Sequence, residues 1–133
     1  MTLHLLDTNI VSHIIRRDQT VVQKRLRELA TEDVAISAVT KGEMLYGLAK
    51  RTKPYGLEQA LNLVLKTIVV LPWTSEIAET YGTFKAQCNA RGFSLSDLDM
   101  MIAAHAVSLG ATLVSRNKAF GHIGDRLKVI DWV

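Results

Sequence analysis

Leu3-His4-Leu5-Leu6-Asp7-Thr8-Asn9 is the stretch that decides the fold. A short run, apolar on both faces, stops abruptly at an acid followed by two small polar residues. Without alternation it does not suit a half-exposed strand, and it reads as the buried central strand of a parallel sheet. In such sheets ligands bind outside the carboxyl ends of the strands, which is where Asp7 stands. Capping of a helix that begins near Ile10 explains Asp7 or Asn9 equally well. Only the other polar residues of the chain can separate the two readings.

Working outward, Ile10, Val11, Ile14 and Ile15 form an apolar stripe at helical spacing, closed by Arg16 and Arg17 in the last turn. Val21, Val22, Leu26, Leu29 and Ala30 repeat the pattern, with Lys24, Arg25 and Arg27 on the polar side. Val34 to Ser37 reads as a second strand. Thr40-Lys41-Gly42-Glu43 then opens a helix that ends in Lys50 and Arg51, and Pro54 and Gly56 break the chain. Leu57, Ala60, Leu61, Val64, Leu65 and Ile68 mark the clearest amphipathic helix, which runs into a β-branched third strand ending at Leu71. Ile77, Tyr81, Phe84 and Cys88 line a further helix that ends before Gly92. Ser96 opens another, which Gly110 stops. Ala111 to Ser115 is a fourth strand, Lys118 to His122 a single helical turn, and Leu127 to Ile130 a fifth strand. Strands alternating with helices predict a mainly parallel five-stranded sheet covered on both faces, an α/β/α sandwich.

The chain has 133 residues, which fits one domain, 1–133, with a sizeable core. One cysteine, Cys88, excludes an internal disulfide and suits a reducing cytoplasm. The opening apolar run stops too early for a signal peptide, and Ile68 to Trp73 is too short to span a bilayer. The expectation is a cytoplasmic domain with no membrane partner. Net charge is +3. If Asp7, Glu43, Asp97 and Asp99 gather in one place, the 13 acids reduce to nine elsewhere, facing 16 bases. That balance favours a phosphate backbone as partner over an evenly mixed surface.

Three acids and an amide hold equivalent places in this map. Asp7 ends the first strand, Glu43 lies early in the helix after the second, and Asp99, beside Asp97, opens the helix before the fourth. Asn117 follows that strand's end. Capping boxes at Thr40–Glu43 and Ser96–Asp99 and a plain cap at Asn117 would account for each singly, but not for all of them at one sheet edge. Two carboxylates about 5 Å apart repel by on the order of 3 kcal/mol at an effective dielectric near 20. Such a cluster needs raised pKa values or a cation. Oxygen-only donors suit Mg²⁺ or Mn²⁺, and the scattered histidines and single cysteine do not suit zinc. A hard ion beside basic residues points to attack of water on a phosphodiester.

At these residues a family resemblance appears. Leu5 to Asn9, Ser37-Ala38-Val39-Thr40-Lys41-Gly42-Glu43-Met44-Leu45-Tyr46-Gly47, Asp99-Met100-Met101-Ile102-Ala103-Ala104-His105-Ala106 and Leu113 to Phe120 resemble the successive signatures of PIN-domain ribonucleases. More narrowly they resemble the VapC toxins of type II toxin–antitoxin pairs, over nearly the whole chain to Ile130-Asp131-Trp132. The resemblance implies a PIN-like α/β/α sandwich and an Mg²⁺- or Mn²⁺-dependent endoribonuclease. It also implies a homodimer, an RNA substrate with transfer RNA favoured, and a VapB-type antitoxin as partner. By position Asp7, Glu43 and Asp99 would be the catalytic and metal-holding acids. Thr8, Asn9 and Ser115 would support them, with Asp97 at the helix start. Asn117 replaces a fourth acid that many members carry. Lys41, Arg116 and Lys118 are candidate RNA phosphate contacts, or plain solvated charge.

The remaining polar and aromatic residues read as structural. His105 falls about 120° around the helix from Asp99, poorly placed as ligand or base. His4 reads as a hydrogen-bonded core histidine. Trp73, Tyr81, Phe84 and Trp132 read as core or interface. Two rival functions use the same pattern. A phospho-receiver needs an aspartate ending its third strand, where this chain has Leu71-Pro72-Trp73. A non-catalytic PIN-like binding module has no need of intact acids.

Overall fold

The computed structural model describes residues 2–52, 55–124 and 126–132. Its five strands, β1 (His4–Leu6), β2 (Val34–Ser37), β3 (Val69–Leu71), β4 (Thr112–Val114) and β5 (Lys128–Ile130), are short and all parallel, in the order β3-β2-β1-β4-β5. The first strand is therefore central, as its uninterrupted apolar run requires. Leu5 aligns with Ala35 and Leu113, and Leu6 with Ile36 and Val114. This order excludes the receiver reading, because β3 lies at the sheet's edge and ends in Leu71.

The helices are α1 (Thr8–Arg16), α2 (Thr20–Glu28), α3 (Ala38–Ala49), α4 (Tyr55–Thr67), α5 (Ser75–Ala90) and α6 (Asp97–Leu109). Strand parity sorts them into two layers. Leu5, Ala35 and Leu113 face Phe84 and Cys88 of α5 and Met100, Ile102 and Ala106 of α6. Leu6, Ile36 and Val114 face Ile10 and Ile14 of α1, Val22 of α2 and Val64 of α4. Burial of each large side chain stabilises by roughly 1.5–3 kcal/mol, so the two cores fix the sheet between the layers. α3 packs against both α4 and α6 and closes one side of the carboxyl edge. Among the described residues no helix is long and apolar enough to cross a membrane.

Some boundaries differ from the sequence expectation. α3 begins at Ala38 and not at Thr40, because the Ser37 hydroxyl accepts the Val39 N–H at 3.1 Å and caps the helix three residues earlier. Thr40 is buried inside α3, so no Thr40–Glu43 capping box forms. Likewise α1 starts at Thr8, with Asp7 as its cap. Gly56 does not break the chain but sits in the first turn of α4, where a missing side chain costs little packing; Pro54 lies outside the described residues. α2 stops at Glu28, a 3₁₀ turn at Thr31–Asp33 follows, and Val21 is 46% exposed rather than part of the buried stripe. Gly110 ends α6 as expected: it adopts φ 65°, where its lack of a Cβ avoids strain.

Candidate active site

Asp7 leaves β1 at its carboxyl end, where the Asp7 N–H makes one more ladder bond, to Val114 O at 3.0 Å. Its side chain turns back under α1 and accepts the Ile10 N–H at 2.9 Å. The helix-cap and sheet-end readings of Asp7 are thus both true. Ser115, just past β4, donates its hydroxyl to Asp7 Oδ2 at 2.5 Å and accepts the Asn117 N–H at 2.9 Å. Asp7 is only 4% exposed. Burial pushes its carboxyl above the usual value of 3.8, against the lowering effect of the Ser115 and Ile10 hydrogen bonds. The charges of Asp99 and Glu43 push in the same direction as burial.

Glu43 lies one turn into α3, half-buried, and accepts the Thr8 hydroxyl at 2.6 Å. The Thr40 hydroxyl stands 3.3 Å from the same Thr8 oxygen. α1 and α3 are therefore joined through the residue next to Asp7. Asp99 is in the first turn of α6, whose Ser96 cap accepts the Asp99 N–H at 3.2 Å, and its carboxylate remains half-buried. The end of β1, the middle of α3 and the start of α6 carry Asp7, Glu43 and Asp99, and the charges of Asp99 and Glu43 both act on Asp7. Among the described residues, however, no three acids, histidines or cysteines converge closely enough to clasp an ion as they stand. Glu43 is held by Thr8, and Asp7 by Ser115 and Ile10. The donors suit a hard divalent cation in type and charge, since all are oxygens and the Asp7 anion is disfavoured by its surroundings.

The structure sorts the other candidates. Asn9 is exposed on the first turn of α1. Asp97 is exposed and pairs with Lys85 of α5 at 3.1 Å. Asn117 caps a 3₁₀ turn at Lys118–His122 by accepting the Ala119 N–H at 3.0 Å. Lys41, Arg116 and Lys118 are exposed, and none lines the cleft beside Glu43. That cleft, about 780 Å³, runs from Leu98 and Met101 of α6 past Glu43 and Tyr46 of α3 to Ser12 and Arg16 of α1. Its basic wall is formed by Arg16, Lys50 and Arg51, which in the sequence read only as helix ends.

His105 is fully buried and, as expected from its angle, does not face the acids. Its Nδ1 lies 2.8 Å from Ser37 Oγ. Burial pushes its pKa down, which favours the neutral ring in this contact. This contact ties the start of α3 to α6, and so the helix of Glu43 to the helix of Asp99. Its Nε2 has no hydrogen-bond partner among the described residues. His4 has Nδ1 3.3 Å from Asp33 O and packs near the Trp132 ring.

A parallel sheet in this order, with the Asp7 carboxylate at the carboxyl end of its central strand and Glu43 and Asp99 on flanking helices, defines an α/β/α domain with an acidic site. The family model described as PIN domain matches residues 4–126. The ribonuclease VapC2 of Haemophilus influenzae is 32% identical over 117 residues, 88% of each chain. The tRNA(fMet)-specific endonuclease VapC of Shigella flexneri is 31% identical over 133 residues, 99% of each. In structure, the chain is similar to VapBC2 of Rickettsia felis, solved bound to a promoter DNA fragment: TM-score 0.92, 26% identity, covering 99% of this chain and 100% of that one. This chain belongs to the PIN domain family, on the branch of the VapC ribonucleases.

Proposed function

We propose that the chain is a cytoplasmic, divalent-metal-dependent endoribonuclease, the toxin of a type II toxin–antitoxin pair, whose single domain hydrolyses RNA phosphodiester bonds. The observation that carries this reading is the buried Asp7 carboxylate at the end of the central strand, raised by burial and by the charges of Asp99 and Glu43. Asp7, Glu43 and Asp99 are the residues that would hold Mg²⁺ or Mn²⁺. Such an ion, when bound, acidifies a water and offsets the charge of the phosphate. Ser115 keeps Asp7 oriented and works against the burial that disfavours its charge, and Thr8 sets the approach of Glu43 to Asp7. Asn9 and Asn117 offer amide oxygens near the same strand ends, and Asp97 orders the start of α6 through Lys85. Lys41, Arg116 and Lys118 are exposed cations available to phosphates beyond the cleft.

Transfer RNA is the favoured substrate, supported by the name of the Shigella flexneri relative. A VapB-type antitoxin is the expected protein partner, supported by relatives solved as VapBC complexes, and a homodimer is the expected assembly. The test is cleavage of structured RNAs by purified protein with Mg²⁺ or Mn²⁺, beside chelator and Asp7→Ala controls. Cleavage should need the metal and the aspartate. Equal cleavage in all samples would sink the assignment.

A further inference from the structure

The strongest unexplained feature is the aromatic ring on the cleft wall. Tyr46 is 68% exposed, the most open of the large hydrophobic side chains described. It lies three residues after Glu43 in α3, on the same helix face, and both line the cleft. The Lys50 ammonium stands 5.2 Å from the centre of the Tyr46 ring, one turn further on. Arg51 follows on the same wall. Arg16, opposite, is already bonded to Asp18 at 2.9 Å. Lys50 and Arg51 have no carboxylate partner among the described residues.

A single exposed tyrosine is ordinary; what sets Tyr46 apart is its place on the cleft wall beside Glu43 and two cations. Unpaired cations beside it ask for an anion. A face that stacks on planar rings, next to positive charge that follows a backbone, is the chemistry of single-stranded nucleic-acid grooves. Charge complementarity therefore favours a polyanion over an apolar protein segment as occupant. We propose that Tyr46 stacks on an unpaired base of the RNA beside the bond to be cut, while Lys50 and Arg51 bind the flanking phosphates. This assignment rests on the ribonuclease reading and names a positioning residue for it: Tyr46 touches a base, not the bond that breaks.

Binding is measured by fluorescence anisotropy in chelator, with a fluorescein-labelled RNA stem–loop that carries an unpaired loop. A second RNA has abasic loop positions. Tyr46→Ala should weaken binding of the intact loop by roughly 5- to 150-fold, as expected for losing one stacked base. Tyr46→Phe should bind within about threefold of the natural chain, since the ring remains. On the abasic loop Tyr46→Ala should lose nothing further. Replacing Lys50 and Arg51 by Ala should lower the salt slope of binding by about 0.7 for each phosphate that is no longer neutralised. Thermal melting should not move, because Tyr46 is exposed. With metal restored, KM should rise in Tyr46→Ala while kcat stays near that of the natural chain.

Unchanged affinity in Tyr46→Ala, or an equal loss on the abasic loop, overturns the proposal. So does a Tyr46→Ala chain that keeps its RNA affinity and loses only a VapB-type partner. Asp7→Asn separates the two readings: it should lower cleavage by roughly a hundredfold or more and leave RNA binding in chelator intact. A natural chain that neither binds nor cuts RNA overturns both.

Discussion

Replacing Ser115 by Ala tests the geometry at Asp7 most directly. The hydroxyl is buried, donates to Asp7 Oδ2 and accepts from Asn117 N–H. A hydrogen bond to an ionised group contributes about 1.5–3 kcal/mol. The Asn117 N–H is only partly buried and can turn to water, so its loss adds little. At about 4 °C per kcal/mol for a chain of this length, Ser115→Ala should lower Tm by roughly 6–12 °C in chelator where Asp7 is ionised. The cost should depend on pH. Burial raises the folded-state pKa of Asp7 above its unfolded value of 3.8, so folding weakens as pH rises from there through the folded pKa. The Ser115 bond lowers that folded pKa, and removing it raises the pKa further. The gap between Ser115→Ala and the natural chain should therefore be smallest in acid, where Asp7 is protonated in both, and widest above both folded pKa values. Circular-dichroism melts from pH 4 to pH 8 measure it. A gap that is flat across this range, or a loss below about 0.5 kcal/mol, would refute the account of Asp7 as a buried anion held by Ser115.

Asp7→Asn should lower cleavage by roughly a hundredfold or more, yet leave Tm at pH 7 in chelator equal to or above that of the natural chain, because it removes a disfavoured buried charge. Added Mg²⁺ or Mn²⁺ should raise Tm of the natural chain, by about 2.7 kcal/mol of stability at a hundred times Kd, and leave Asp7→Asn unmoved; a shift in both would place the ion elsewhere. Ser37→Ala should cost about 2–3 kcal/mol in denaturant titration, from the lost helix cap and the stranded His105 Nδ1. Less than about 0.5 kcal/mol would mean that this contact does not tie α3 to α6.

Much of the fold is legible in the sequence because parity and period are strong signals. Leu5 and Leu6 are both apolar and face opposite layers, which only a twice-covered strand needs. The glycine that ends α6 and the serine that starts it are plain for the same local reason. The start of α3 is not, because Ser37 and Thr40 are equally good caps on paper. The strand register chooses between them by placing Ser37 against α6, where its hydroxyl meets His105. The acids are legible as sheet-end residues, but the Thr8 bond to Glu43 joins side chains 35 positions apart and leaves no local trace. The cleft wall is harder to see, although Tyr46 and Lys50 lie at helical spacings from Glu43 and can be gathered onto its face. Lys41, Arg116 and Lys118 stand out by closeness in sequence to the motifs, which does not measure closeness to the cleft.

The partner that steadies Asp7 lies 108 positions downstream. Since β4 must also add to β1 before Ser115 can reach the acid, residues as far as 115 must be made before the site can assemble. A growing polypeptide of this design holds Asp7 without its steadying hydroxyl until the fourth strand has left the ribosome. Shortened products that stop between α3 and β4 carry Asp7 and Glu43 but lack Ser115, and those that stop before α6 lack Asp99 as well.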